Sequence, residues 1–137
     1  MAKIQSDEHG RVIGFPYHDG DLEGVLCDGK TVHLALRSVG GERRVLSLRG
    51  VKHLAVDEFW LGNIVLVMFL SDLAQRCAGS DEFARQAAAD WRIELGERSS
   101  GLLGFVLLSS YGATVRAVCD DAEVSEPGVT LSVAHAT

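Results

Sequence analysis

Cysteine is scarce in this chain, and what is present does not suggest pairing. Three cysteines among 137 residues is an odd count, and none stand at CxxC spacing. A disulfide framework is therefore not indicated, and reduced thiols in a cytoplasmic protein are the expectation. Long apolar runs are lacking too. The longest, Ile64 to Leu70, falls far short of the ~20 residues a membrane helix requires. The polar start MAKIQSDEHG has no apolar core of the kind a signal peptide needs. Positive charge is also in deficit, with 13 Lys and Arg against 19 Asp and Glu and a net charge of −6. That balance argues against nucleic acid as a partner, because phosphate binding rests on Lys and Arg.

Motifs with a fixed chemistry are missing as well. No GxGxxG, P-loop, HExxH or GxSxG occurs, so nucleotide, zinc-protease and nucleophile-elbow sites have no support. His9, His33, His53 and His135 show no ligand spacing, and no metal or other cofactor is expected. Asp19 to Gly24 matches the first half of a calcium loop, but position 12, which needs a bidentate Glu, is Lys30.

What is present is a pattern of strands. Apolar content of 47% and charged content of 23% fit one globular domain spanning 1–137, with no repeat or second domain visible. Asp21 to Val51 reads as a three-strand antiparallel meander, because Cys27-Asp28-Gly29 and Val39-Gly40-Gly41 each place glycine last in a three-residue loop. This spacing pairs Gly24 with Val32 and Leu22 with Leu34, then Leu34 with Leu46 and Val32 with Leu48. Leu22, Leu26, Val32, Leu34, Leu36, Leu46 and Leu48 then share one face. A two-residue turn at Asp28-Gly29 would instead set Val32 against Val25 and send Leu22 and Leu26 to the other side.

Around the meander, Met1 to Gly10 reads as a loosely attached terminus and Arg11 to Tyr17 as an edge strand or lead-in. Lys52 to Phe59 reads as a short strand. Ile64 to Leu70, apolar throughout, belongs at the centre of a sheet. Ser80 to Glu94 is the helix, with Ser80 as N-cap and Phe83, Ala87 and Trp91 on its buried stripe. Leu73 to Cys77 adds a short helical turn before it. Leu102 to Leu108 and Thr114 to Cys119 form a hairpin pairing Leu107 with Val115, Phe105 with Ala117 and Leu103 with Cys119. Val129, Leu131 and Val133 alternate as a last strand. The fold expected is mainly β (α+β), an antiparallel β-sandwich or half-open barrel carrying one amphipathic helix.

Three features bear on function. The pairing above sets Glu23, His33 and Ser47 in one row across three strands, which would suit a small hydrolase, although a solvated sheet face gives the same row. Trp60 and Tyr111, in glycine-flanked loops, have the character of partner anchors. The gap between helix and sheet, lined by Trp91 and Phe105, would suit a small ligand.

Three segments, in order, resemble a family of small bacterial β-rich domains grouped with immunity proteins of polymorphic toxin systems. Tyr17-His18-Asp19-Gly20-Asp21-Leu22 is similar to that family's aromatic-His-Asp entry to its first strand. Gly50-Val51-Lys52-His53-Leu54, through Phe59 to Gly62-Asn63-Ile64-Val65, resembles its GV…L…F…N-apolar stretch. Ser110-Tyr111-Gly112-Ala113, through Cys119 to Glu123-Val124-Ser125-Glu126-Pro127, is similar to its YG…C…V…P ending. The resemblance implies a β-rich fold and a non-catalytic protein that neutralises a toxin by stoichiometric binding. His18, Asp19, Asn63 and Tyr111 are the recurrent positions it carries over. With Trp60, they are the binding residues expected here. A homodimer through strand edges remains open.

Overall fold

The computed structural model describes residues 1–74 and 81–131. Ser80 as N-cap, the helical turn as far as Cys77, and Val133 and His135 lie outside the described residues. In chain order the elements are β1 (Ala2–Lys3), β2 (Gln5–Ser6), β3 (Val12–Ile13), β4 (Asp21–Asp28), β5 (Thr31–Arg37), β6 (Arg43–Arg49), β7 (His53–Asp57) and β8 (Asn63–Asp72). Helix α1 (Glu82–Leu95) and a 3-10 turn (Gly96–Ser99) follow, then β9 (Leu103–Tyr111), β10 (Thr114–Cys119) and β11 (Asp121–Val124). Among these residues no helix is long and apolar enough to cross a membrane.

Nine strands form one antiparallel sheet in the order β1-β11-β6-β5-β4-β8-β9-β10-β7. β6 pairs β11 and β7 pairs β10, so these ladders meet at a corner where the Asp120 amide bonds the Arg49 carbonyl at 2.9 Å. Beyond that corner the sheet folds over, and its two halves face one another across a single core. Leu22, Leu34, Leu46 and Leu48 from one half meet Val65, Met68, Phe105, Leu107, Val115 and Ala117 from the other. The barrel is not closed. β4 shares only Asp21–Ile64 and Leu22–Asn63 with β8. Farther along β8, the amino-terminal segment takes over: Leu70 N–H donates to the Gly10 carbonyl at 2.8 Å, Arg11 bridges Phe69, and Val12 and Tyr17 are buried.

The expected loose terminus is thus strapped down. β1 pairs with β11, and Lys3 reaches Asp121 and Glu123. The hydrogen bond to Lys3 holds the Asp121 carboxyl below its ordinary range and raises the Lys3 ammonium.

The second and third hairpins keep the register read from their glycines, with Leu34–Leu46, Val32–Leu48, Leu107–Val115, Phe105–Ala117 and Leu103–Cys119 paired. Gly41 and Gly112 sit at φ 87° and 92°, where a side chain would strain the loop. The first hairpin differs. Asp28 pairs with Thr31 around a two-residue Gly29-Lys30 turn, which sets Val25 against Leu34 and Leu26 against His33. A bulge between Leu22 and Gly24 then returns Leu22 to the core opposite Leu36. Leu26, expected inside, is consequently exposed, and Val25 packs against the core in its place.

Helix α1 covers the other face of β9 and β10. Asp81 caps it by accepting from the Ala84 amide at 2.8 Å, and Ala87, Ala88 and Trp91 are buried against Val106 and Val118. Trp91 lies over Gly104, where an added Cβ would stand 3.0 Å from the indole and 2.8 Å from Leu73 Cδ2. Phe83 is exposed, so the buried stripe runs through the alanines and Trp91 only. Val129 to Leu131 form no strand, and line the outer side of the meander beside Gly24, Ala35 and Arg43.

Candidate functional site

The start of β8 is where the expected binding residues gather. Ile64 pairs with Asp21 on one flank and Tyr111 on the other. Beyond it, β8 bulges against β9 between Val65 and Val67, leaving Leu66 as the extra residue. The segment leading into β4 docks on this bulge. Asp19 N–H donates to the Val65 carbonyl, and Val65 N–H donates to the Gly20 carbonyl, each at 2.8 Å. His18 Nδ1 donates to the Leu66 carbonyl at 2.7 Å, and its Nε2 lies 3.5 Å from the Asp19 carboxylate. His18 and Asp19 both remain open to solvent.

Asn63 organises the opposite flank. Its Oδ1 accepts from the amides of Trp60 and Ala113 at 2.9 Å each, and its Nδ2 donates to the Leu22 carbonyl at 3.1 Å and to the Trp60 carbonyl. The side chain is fully buried. Asn63, expected among the binding residues, is thus enclosed within the protein, with its bonds going to neighbouring segments. It fixes the 58–62 loop and the β9–β10 turn to β4, with its full hydrogen-bonding capacity used. Gly112 accommodates this, since a Cβ there would come 2.4 Å from Asn63 Oδ1.

The loop held in this way presents apolar groups outward. Leu61 is 97% exposed, Trp60 45%, Phe59 42% and Tyr111 52%. Trp60 and Tyr111 pack edge to face with ring centroids 5.0 Å apart, an arrangement that favours the two rings staying together at the surface. Among the described residues Glu58 and Asp19 are the non-glycine residues in the left-handed region, at φ 54° and 61°; Glu58 directly precedes this tip and Asp19 lies across β8 from Tyr111. Such conformations persist where the surroundings hold them, and they cluster at functional loops. Asp57 and Glu58, both exposed, lead into this tip, with Asp57 paired to Arg116.

The Glu23-His33-Ser47 row is only partly assembled. His33 and Ser47 are cross-strand partners, with Nδ1 and Oγ 2.7 Å apart. Glu23 falls in the β4 bulge and turns to Arg43 at 3.2 Å and Arg37 at 3.9 Å. The strand residue beyond Ser47 is Glu123, on the hydroxyl's side rather than the imidazole's. A carboxylate there does not orient the histidine, and Ser47 is fully buried, so the row lacks both an acid behind the base and an accessible nucleophile. The acids of the half-matched calcium loop are likewise engaged, Asp21 with Arg37 at 2.7 Å and Glu23 with Arg43.

Between α1 and β7 lies a groove of about 230 Å³, lined by His53, Ala55, Ala87, Asp90, Trp91, Glu94 and Arg116. His53 Nε2 is 3.4 Å from Glu94, and Arg116 reaches Asp57 at 3.5 Å while its Nε is buried without a partner. Phe105 is not part of it. Its ring faces the central core, because alternation along β9 puts Gly104 and Val106, not Phe105, beneath the helix. Cys119 is also buried in that core, which pushes its thiol up to about 12.

Sequence reasoning missed the His18–Leu66 hydrogen bond and the exposed pair Phe59 and Leu61. The FWLGN stretch, apolar residues ending in a glycine turn, was the available signal for the latter. Compared with models of known protein families, with curated proteins and with solved structures, the chain matches none of them.

Proposed function

We propose that this chain is a bacterial, cytoplasmic protein-binding module that neutralises a toxin by stoichiometric contact rather than by catalysis, and that it docks through the Phe59-Trp60-Leu61 tip and Tyr111. The observation that carries this reading is an exposed apolar tip on a loop immobilised by Asn63. Aromatic anchors held in one conformation lose little entropy on binding, which is the arrangement seen at interaction hot spots. The exposed Glu58 beside the tip suits a partner with Lys or Arg near its apolar pocket. The toxin-neutralising form of the reading rests on the resemblance of the Tyr17–Leu22, Gly50–Val65 and Ser110–Pro127 motifs to immunity-protein domains; no family model matches the chain.

The test is affinity capture of the tagged protein from lysate of its source organism, followed by mass spectrometry and co-expression of what is retained. One near-stoichiometric partner with a toxic domain, whose toxicity this chain relieves, is the expected result. A blank from toxin-expressing cells would overturn it. A second reading, a small ligand in the α1–β7 groove, is favoured by the unpartnered Arg116 Nε. It predicts a melting-point rise with some member of a small-molecule panel, and no rise across the panel would refute it.

A further inference from the structure

We propose that this chain forms a two-fold dimer by antiparallel pairing of β7 with β7 of a second copy. β7 ends the sheet, and among the described residues only β10 pairs with it. Among the described residues no other strand pairs with its outer edge, which leaves the backbone template that edge-to-edge association uses. β7 carries neither a proline nor a lysine within its span, the usual devices that blunt such an edge.

The sequence of β7 and its flanks selects the occupant. Read from Lys52 to Glu58, it is cationic or imidazole at the start, small and apolar in the middle, and acidic at the end. An antiparallel copy centred on Ala55 sets His53 opposite Asp57, Leu54 opposite Val56 and Ala55 opposite itself, with Lys52 toward Glu58. The two-fold axis makes each of these pairings twice, except Ala55 with itself, which lies on the axis. A parallel copy in register would oppose like with like, and a shift of two residues in either direction loses the His53–Asp57 match. Leu54 and Val56 already pack toward the central core, and Ala55 at the axis leaves room for close approach.

Neighbouring groups permit the pairing. His53 faces Glu94 and Asp90 of α1 and Asp57 faces Arg116 of β10, all partly exposed and able to share a further partner. Helix α1 packs on β9 and β10 and reaches β7 through Glu94 and His53, so the two helices of a dimer would lie on the same face of the joined sheet. The two β10 strands of the dimer would be three strand spacings apart, about 14 Å, and that exceeds the ~10 Å diameter of a helix. Five strand residues per copy make a small interface, so weak, reversible association is expected.

Sedimentation equilibrium from low micromolar to near-millimolar concentration tests this on the full chain, with circular dichroism as the check on folding. The wild type is expected to show a reversible monomer–dimer equilibrium. His53→Glu opposes carboxylates at two symmetric positions, and Asp57→Lys replaces the carboxylate facing the His53 imidazole with an ammonium. Each should weaken association by about tenfold or more. Combining both restores opposite charges and should return the dissociation constant to within about threefold of wild type. A wild type that stays monomeric throughout would overturn the proposal. So would single variants that dimerise normally, or a double variant that is not rescued. If either single variant fails to fold, Ala55→Asp replaces it, since it puts two carboxylates on the axis and should abolish the dimer.

Discussion

Replacing Asn63 by alanine removes a side chain that ties three segments together, and the cost can be worked from its bonds. Oδ1 satisfies the Ala113 and Trp60 amides, and Nδ2 satisfies the Leu22 and Trp60 carbonyls. Ala113 and Leu22 are buried, whereas Trp60 is half exposed and can turn to water. Truncation thus strands one buried N–H and one buried C=O, each at about 1–3 kcal/mol, for a loss of about 3 kcal/mol. Against a total stability of about 5–15 kcal/mol, that would lower the melting temperature by about 10 °C. Urea unfolding followed by circular dichroism measures the stability. Trp60 emission in the folded variant reports whether the tip has loosened from Tyr111. Hydrogen exchange at the Ala113 amide should accelerate in parallel. A stability loss below about 1 kcal/mol, with unchanged emission, would refute the view that Asn63 holds the tip.

Three further outcomes are expected. Leu61→Asp, at a position 97% exposed, should leave stability within about 0.5 kcal/mol while weakening partner binding at least about tenfold by calorimetry. Cys119 has its thiol raised from an ordinary 9.0 to about 12, so the folded state keeps a proton that the unfolded chain releases. The stabilisation is full below pH 9 and disappears as pH rises toward 12, by at most about 4 kcal/mol. Buried Tyr17 is shifted in the same direction. Urea midpoints should therefore fall more steeply between pH 8 and about 11 for wild type than for Cys119→Ala, and parallel curves would contradict this. Gly104→Ala drives a methyl to 2.8 Å from Leu73 Cδ2 and 3.0 Å from the Trp91 ring. It should destabilise by about 1–3 kcal/mol and alter Trp91 emission; a neutral variant would show that the helix can shift away.

Much of the sheet was legible because glycine marks left-handed turn positions. Gly41 and Gly112 fixed two registers correctly, and alternation then placed Leu34, Leu46, Phe105 and Val115 in the core. The first hairpin defeated the same rule. Gly29 takes positive φ in a two-residue turn as readily as in a three-residue one, so the glycine alone did not specify the loop. The bulge at Glu23 also let Leu22 and Val25 face the same side, which strict alternation forbids. The two-residue turn, which sets Leu26 rather than Glu23 opposite His33, took Glu23 out of the His33–Ser47 row. Phe105 and Trp91 were assigned to one gap although the β9 register already put Phe105 opposite Ala117, away from the helix. At the site, Trp60 and Tyr111 were recognisable as aromatic residues beside glycines. Their mutual packing, and the role of Asn63 in it, depends on contacts across the 63–113 separation that no local pattern encodes.

The measurement that tests the central claim most directly is a paired quantitative capture. Wild type and a Trp60→Ala/Leu61→Asp variant, matched for folding by circular dichroism, are exposed to the same lysate and the retained proteins are compared. A partner held near stoichiometrically by the wild type and lost from the variant is the result predicted. A partner retained equally by both would contradict docking through the tip, and no partner on either would contradict the binding function itself.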